Sequence, residues 1–349
     1  MSNASSHQAQ PSFPSSDDAR ARHRLAWTRA ALQDADATLV RASTDAGFRS
    51  YWRTQGTAPS RIVMDSPPAL EDVRPWLRIH DLLAGGGVRV PQVLARDADA
   101  GFLLMEDLGA GTMAQVVDAA SADAHYEAAI GQLLKMQAIT PRADLPVFGE
   151  ALLQRDAGLF EEWFLRRHLG LELDCAEAEA LQLVQRRLID NALAQARVLT
   201  HRDFMPRNLM PMPDGPAVLD FQDAVAGPVA YDAISLFRDA FLSWPEERVD
   251  GWLRQYHARA SAAGIPVPVL ATFLRDADWL GVQRHLKILG IFARLHHRDG
   301  KSHYIADAPR FIRYLDEVLP RHAELAPLQS LLETRIKLAM QRVAAGDAA

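Results

Sequence analysis

The chain has 349 residues, enough for a large core and for two lobes. Its hydrophobic share is 48%, its charged share 23% and its net charge −6, a balance that sets a general nucleic-acid-binding role aside. No run approaches about 20 uninterrupted apolar residues, so no membrane span is expected, and the lone Cys175 cannot pair within the chain.

Residues 1–18 are polar and rich in Ser, Gln and Pro, without the basic patch or apolar run of a secretory signal. The tail, taken as 1–19, is expected to be disordered, and the cytoplasm is the expected compartment. A first helix is expected over 20–35. Short β-prone runs at 38–43, 48–54 and 60–65, separated by turns at 44–47 and 55–59, have the pattern of an antiparallel meander. The next helix, over 71–84, has Asp72 as N-cap and Pro75 in its first turn, and ends at Gly85-Gly86-Gly87. Runs at 92–96 and 102–106 make another hairpin. Beyond Gly111 the apolar spacing is helical over 126–139, 153–169, 176–199, 233–242, 246–263, 269–295, 309–318 and 328–343. Cys175 falls near a helix start and reads as a small structural residue, and no Cys/His cluster has zinc spacing. The fold class is α+β and two-lobed: a β-rich N-lobe over 20–107, a connector near 106–111 and a large helical C-lobe over 108–343.

One segment, 198–223, breaks the helical pattern. Val198-Leu199 and Ala217-Val218-Leu219 flank His201-Arg202-Asp203-Phe204-Met205-Pro206-Arg207-Asn208, and Asp220-Phe221-Gln222-Asp223 begins twelve residues after Asn208. Kinase-type phosphoryl transfer needs positioning, charge neutralisation and a place for the acceptor proton. Asp203 is the candidate base for an acceptor hydroxyl, and Asn208 and Asp220 are candidate ligands for Mg²⁺ on the phosphates of ATP. Mg²⁺ takes oxygen ligands and keeps some waters, so two protein ligands plus ATP suffice. His201 is read as orienting the loop. A turn rich in Asp and Asn by chance is the competing reading, and the completeness of the set between two apolar runs argues against it.

The segments HRDFMPRN, LDFQDA and GPVAYDAISLFRD resemble the aminoglycoside phosphotransferase-like kinases, and the resemblance extends over about 20–318. It implies the two-lobed protein-kinase-like fold. Within that family, TDAGFRSYWR, RIVMDSPP, FLLMEDLG and WLGVQRHLKILGIFARL resemble the bacterial anomeric N-acetylmuramate/N-acetylglucosamine kinases. That implies phosphorylation of the C1 hydroxyl of free amino sugars in peptidoglycan recycling, with ATP and a small sugar as partners and a monomer as the expected state. An aminoglycoside or choline/homoserine-type phosphotransferase, and an inactive nucleotide-binding scaffold, stand as alternatives. In similar kinases an Asp at the position of Asp232 braces the catalytic loop; read from the residues, Asp232 precedes a helix and suits an N-cap.

Departures from the protein-kinase pattern narrow the acceptor. Gln222 follows Asp220-Phe221, and Gly227-Pro228 stands where an activation segment would only begin, which favours a small molecule over a peptide. No lysine precedes Lys135, so arginine must replace the usual small-lobe lysine. Arg49 and Arg53 are the candidates, sharing a strand face with Tyr51; Arg61 is a third choice and Glu71 a candidate partner. Gly47 is all that is left of a glycine-rich loop. The adenine is expected against Met105-Glu106-Asp107-Leu108, between Ile62 and Leu103.

For the acceptor, the segment 284–303 carries Arg284, Lys287, Arg294, Arg298 and Lys301, with His285, His296, His297 and His303, against Asp299 alone. Arg284 and Lys287 are candidate contacts for an acceptor carboxylate such as a lactyl group, and such a wall disfavours a polycation. Arg207 and Arg238 are further candidate substrate contacts, with Asp239 and Trp244 secondary and Asp223 a possible alternative metal ligand.

Overall fold

The computed structural model describes residues 16–44, 48–56 and 58–346. Most of the expected tail, and residues 45–47 of the turn that contains Gly47, lie outside the described residues. The chain divides into two units, one of Met1–Arg78 with Pro91–Gly109, the other of Ile79–Val90 with Ala110–Ala349.

In the first unit, α1 (Ser16–Leu32) begins earlier than position 20 and is followed by β1 (Thr38–Thr44), β2 (Ser50–Gln55) and β3 (Arg61–Asp65). After α2 (Arg74–Gly85), whose residues from Ile79 on are assigned to the second unit, come β4 (Val93–Asp97) and β5 (Phe102–Glu106) of the first. The five strands form one antiparallel sheet in the order β1-β2-β3-β5-β4. Tyr51 pairs with Met64, Arg53 with Ile62, Ile62 with Met105 and Met64 with Leu103. Strand side chains alternate, so these six residues share one sheet face. The other face carries Trp52, Asp65 and Phe102 and is covered by α1. Arg24 lies 3.6 Å over the Trp52 ring and Arg20 4.1 Å over Phe102, while both guanidinium groups bond the buried Asp65 at 2.7 Å. The helix α2 begins at Arg74, so Val73, whose carbonyl accepts the Leu77 N–H, holds the N-cap position expected for Asp72; the Asp72 carboxylate instead accepts the Arg74 N–H at 3.0 Å from one residue further out.

The second unit contains α3 (Met113–Val116), α4 (Ala122–Gln137) and α5 (Glu150–Leu159), which runs on into a π-helical segment, Phe160–His168. Next are α6 (Cys175–Ala194), β6 (Arg197–Thr200), a 3₁₀ turn at Pro206–Asn208, β7 (Leu209–Met210), β8 (Ala217–Val218) and β9 (Val225–Pro228). The remainder is α7 (Tyr231–Phe237), α8 (Glu246–Ala262), α9 (Leu270–Asp299), α10 (Ala308–Val318), α11 (Ala326–Leu331) and α12 (Lys337–Ala345). Asp174 and Glu177 form a capping box at the start of α6, leaving the exposed Cys175 as its first residue. The helix expected to run to 199 stops at Ala194, because Val198, Leu199 and Thr200 are buried and pair with β9.

The core of this unit is built around α9, against α6, the π-helical segment, α10 and α11. At Gly290 a Cβ would stand 2.4 Å from the Leu159 carbonyl carbon, so the two backbones touch where no side chain fits. Gly300, at φ +67°, ends α9 in the left-handed conformation. Among the described residues no helix is long and apolar enough to cross a membrane.

Candidate active site

β6 delivers the chain into the 201–208 loop. Asp232, fully buried in the first turn of α7, accepts the backbone N–H groups of His201 at 2.6 Å and Arg202 at 3.0 Å. The N-cap position of α7 belongs to Ala230, so the Asp232 carboxylate braces the loop and does not cap the helix. Arg202 has φ +78°, a conformation costly for a residue with a Cβ, which these two bonds help to hold. Burial pushes the Asp232 carboxyl up to about 6, against the opposing pull of His201 and the two N–H donors.

His201 Nε2 lies 2.9 Å from the Leu219 carbonyl, and the Asp203 N–H points at His201 Nδ1 at 3.3 Å. This pattern assigns the ring proton to Nε2 and engages both nitrogens. The Leu219 N–H donates to the Asn208 carbonyl at 2.8 Å, and β7 pairs with β8, so the loop and the Asp220 segment are stitched together. Asn208 Nδ2 donates to the Asp203 carbonyl at 2.9 Å, which leaves Oδ1 as the free end of the amide. Asp220 sits at φ +61° and presents its carboxylate beside Gln222 Nε2 at 2.9 Å. Asp203, Asn208 and Asp220 line one cavity, and an amide oxygen with a carboxylate is the hard-oxygen set that suits Mg²⁺. Asp223 is exposed and does not line it.

The raised Asp232 pKa has a consequence for stability. A carboxyl whose folded pKa exceeds its ordinary 3.8 contributes stability that is fully present below that value and is lost as pH rises through about 6. Asp232→Asn cannot ionise, so the melting temperature of the wild type relative to this variant is expected to fall between pH 4 and pH 7. Thermal unfolding across that range checks it, and a constant difference would contradict the assignment.

The cavity measures about 590 Å³ and lies within the second unit. Its long wall is α9, whose Arg284, Lys287, Ile288, Ile291 and Arg294 recur at helical spacing on one face. α5 contributes Arg155, Asp156 and Leu159, the loop contributes Arg202, Met205 and Arg207, and Tyr231 and Phe241 complete the wall. Six cationic side chains thus face three carboxylates, Asp156, Asp203 and Asp220. Lys287 is paired with the buried Asp156 at 3.1 Å. Burial opposes its charge, but Tyr231, Asp156 and Asp203 outweigh burial and hold its pKa above the ordinary lysine value.

Arg284 differs from Lys287. It is only 3% exposed, its Nη1 is buried without a hydrogen bond, and among the described residues no carboxylate pairs with it. The buried Asp239 lies close enough to feel its charge but spends one oxygen on the N–H groups of Phe241 and Leu242, both at 2.8 Å. Arg207 is exposed over the Phe241 ring at 5.0 Å.

Several sequence candidates are used elsewhere. Arg238 is 1% exposed and bonds Asp278 at 2.8 Å and Glu246 at 2.6 Å, so its guanidinium serves the core and not the cavity. Trp244 donates to the Tyr126 hydroxyl at 2.8 Å and packs edge-on against Trp252. His285 turns away from the cavity to stack on Tyr314 at 4.7 Å. Sequence reasoning missed Arg155, Asp156, Arg202 and Tyr231 as lining residues, and named Arg294 only within the basic segment 284–303. The only local signal was the continuation of the α9 face to Arg294.

Within the first unit, Arg49 lies 3.4 Å from Glu71, the pairing anticipated from the sequence, and its buried Nε and Nη1 have no hydrogen-bond partner. Arg53 is instead occupied by Asp107 at 2.7 and 3.1 Å and by the Gly109 carbonyl at 2.9 Å. Burial of Asp107 is outweighed by Arg53, Ser60 and the Gly109 N–H, which hold its carboxyl below the ordinary range. Arg53 therefore tethers the connector. Ile62 is half-buried, Leu103 and Met105 are buried, Glu106 accepts the Gln92 N–H at 3.2 Å, and Leu108 is half-buried. Arg61 lies 3.4 Å from the Ser60 carbonyl.

A five-stranded antiparallel sheet, a large helical unit and an Asp203/Asn208/Asp220 loop define a phosphotransferase of the protein-kinase-like class. The chain belongs to the phosphotransferase enzyme family, whose model matches residues 38–267. It is 51% identical over 296 residues to an N-acetylmuramate/N-acetylglucosamine kinase of Pseudomonas putida, covering 84% of this chain and 87% of that protein. It is 47% identical over 328 residues to the kinase of that name from Pseudomonas aeruginosa, covering 91% and 97%. Among solved structures it is similar in fold to an ADP-bound aminoglycoside phosphotransferase (TM-score 0.56, 14% identity, 84% of this chain and 97% of that one). It is also similar to a Plasmodium vivax ethanolamine kinase (TM-score 0.59, 11% identity, 87% and 90%).

Proposed function

We propose that this chain is a cytoplasmic ATP- and Mg²⁺-dependent kinase that phosphorylates the anomeric C1 hydroxyl of N-acetylmuramate, with N-acetylglucosamine as a second acceptor, in peptidoglycan recycling. The names of its relatives support the sugar class. The observation that carries the choice of acceptor is the buried, unpaired Arg284 in a cation-rich cavity shared with Asp203. A buried guanidinium nitrogen without an acceptor is costly, and an acceptor carboxylate relieves that cost.

In this reading Arg284 takes the lactyl carboxylate and orients the sugar, with Arg207 at the rim. Asp203 receives the proton of the C1 hydroxyl as that oxygen bonds the terminal phosphorus of ATP and the P–O bond to the leaving ADP breaks. Asn208 Oδ1 and Asp220 hold Mg²⁺, which neutralises phosphate charge when bound. Lys287, already balanced by Asp156, lends positive potential to the cavity without acting as a base. In the first unit Arg49 holds nucleotide phosphate, on the sheet face that also presents Ile62, Leu103 and Met105. The chain functions as a monomer on two small molecules.

ADP release with N-acetylmuramate, N-acetylglucosamine, choline and kanamycin as acceptors tests this, with phosphorus NMR to place the phosphate. Turnover with kanamycin alone would overturn it. Arg284→Leu is expected to raise KM for N-acetylmuramate by roughly 10- to 100-fold, the value of a lost charge-assisted contact, and to leave KM for N-acetylglucosamine nearly unchanged. An equal rise for both sugars would remove Arg284 from carboxylate recognition.

A further inference from the structure

We infer that His168, His296 and His297 form a binding site for a transition-metal dication of the Zn²⁺ type, distinct from the Asp203 cavity, that clamps together the two helical walls of that cavity. Each residue offers one ring nitrogen, and the three nitrogens lie within 4.8 Å of one another. Among the described residues this is the only such trio. His168 Nδ1 and His297 Nε2 are already 3.3 Å apart. Two nitrogens bound tetrahedrally at the usual Zn–N length of about 2.05 Å stand about 3.3 Å apart. His296 brings its nitrogen within the same 4.8 Å, and its ring is held by a 3.0 Å contact between Nδ1 and Ser302 Oγ, the outer-shell support that metal-bound imidazoles commonly have.

The donor set decides the class of ion. Three imidazoles with no carboxylate among them suit Zn²⁺, Ni²⁺, Cu²⁺ or Co²⁺, and they do not suit Mg²⁺ or Ca²⁺, which take oxygen. The neighbouring Arg167 and Arg298 are already paired, with Glu162 at 3.1 Å and Asp299 at 2.7 Å, so their charge is partly balanced. Their presence still makes the site weaker than a closed structural zinc site.

Placement gives the ion a role. His168 ends the π-helical continuation of α5, and His296 and His297 stand in the last turns of α9. These two elements meet in step three times: Asp156 with Lys287, Leu159 and Phe160 with Gly290, and His168 with His297. The first contact is inside the cavity, and the third lies where both walls end. An ion there bridges residues far apart in sequence and stabilises the native state by linkage.

The full chain, stripped with a chelator and dialysed, is titrated with Zn²⁺ in the presence of excess Mg²⁺ by calorimetry and thermal unfolding. One Zn²⁺ per chain and a melting temperature several degrees higher at saturation are expected. Both are lost in His168→Gln/His297→Gln and kept in His303→Gln. No uptake by the wild type, or uptake and stabilisation unchanged in the double variant, would overturn the site. Should the double variant not fold, the Co²⁺ spectrum of the wild type decides: intense visible bands of a low-coordinate nitrogen site support it, and the weak spectrum of the hydrated ion refutes it.

Discussion

Asp203→Asn is expected to lower kcat by about 10³-fold, the usual scale for a lost general base, while the affinity for ATP stays within a factor of about two. The geometry makes this substitution a clean one. Among the described residues nothing hydrogen-bonds the Asp203 carboxylate, whereas its backbone is fixed through His201 Nδ1, Asn208 Nδ2 and the neighbouring bonds to Asp232. An amide of the same shape therefore keeps the loop in place and removes only the capacity to take a proton. The nearby groups cannot substitute. Both ring nitrogens of His201 are engaged, and Lys287 is ion-paired with Asp156 at 3.1 Å, a contact that the substitution leaves in place. Steady-state ADP release and calorimetric titration with ATP separate the two parameters. Wild-type turnover in the variant would end the assignment of Asp203 as base, and a parallel loss of ATP affinity would make it a binding residue.

The loop was legible because its chemistry is contiguous. Asp203, Asn208 and Asp220 fall within one stretch between two apolar runs, so spacing alone brought them together. Arg284 and Lys287 were legible for a related reason, since three residues along a helix return to the same face. Asp156 was not, because its partner Lys287 lies 131 residues away and only the packing of α5 on α9 joins them. Arg238 shows the converse. Its position next to the metal segment pointed to substrate, but Asp278 and Glu246 claim the guanidinium inside the core. The histidine trio escaped notice because His168 comes from a different helix, and no local spacing rule links it to His296 and His297. In the sheet, period two placed Arg49 and Arg53 on one face, yet which of them is free depends on Asp107, a residue beyond reach of strand periodicity. The end of α6 was misjudged because apolar Val198 and Leu199 continue a helical pattern while tertiary pairing with β9 makes them a strand.

That distinction between the two arginines leads to the second large effect expected. Arg49→Ala should lower kcat/KM for ATP by about 10²-fold, equivalent to about 2–3 kcal/mol for lost charge-assisted hydrogen bonds. Arg53→Ala should leave ATP kinetics close to wild type and lower the melting temperature by a few degrees, because its bonds to Asp107 and Gly109 are structural. No lysine precedes Lys135, so arginine is the only side chain with a permanent positive charge available to the first unit. Of its candidates, Arg49 alone combines a buried guanidinium, a carboxylate brace in Glu71 3.4 Å from its Nε, and a buried Nη1 without a hydrogen-bond partner. Buried unpaired donors of this kind are unfavourable until something accepts from them, and phosphate oxygens are matched to guanidinium geometry. Glu71 positions that group, so Glu71→Ala should cost about 10-fold on its own and add little to Arg49→Ala, the non-additivity of residues that act as a unit. Arg49→Lys keeps the charge but not the fork, and an activity between wild type and Arg49→Ala is expected. Additive losses in the Arg49/Glu71 pair, or an Arg53→Ala defect in ATP kinetics as large as that of Arg49→Ala, would reassign the phosphate contact.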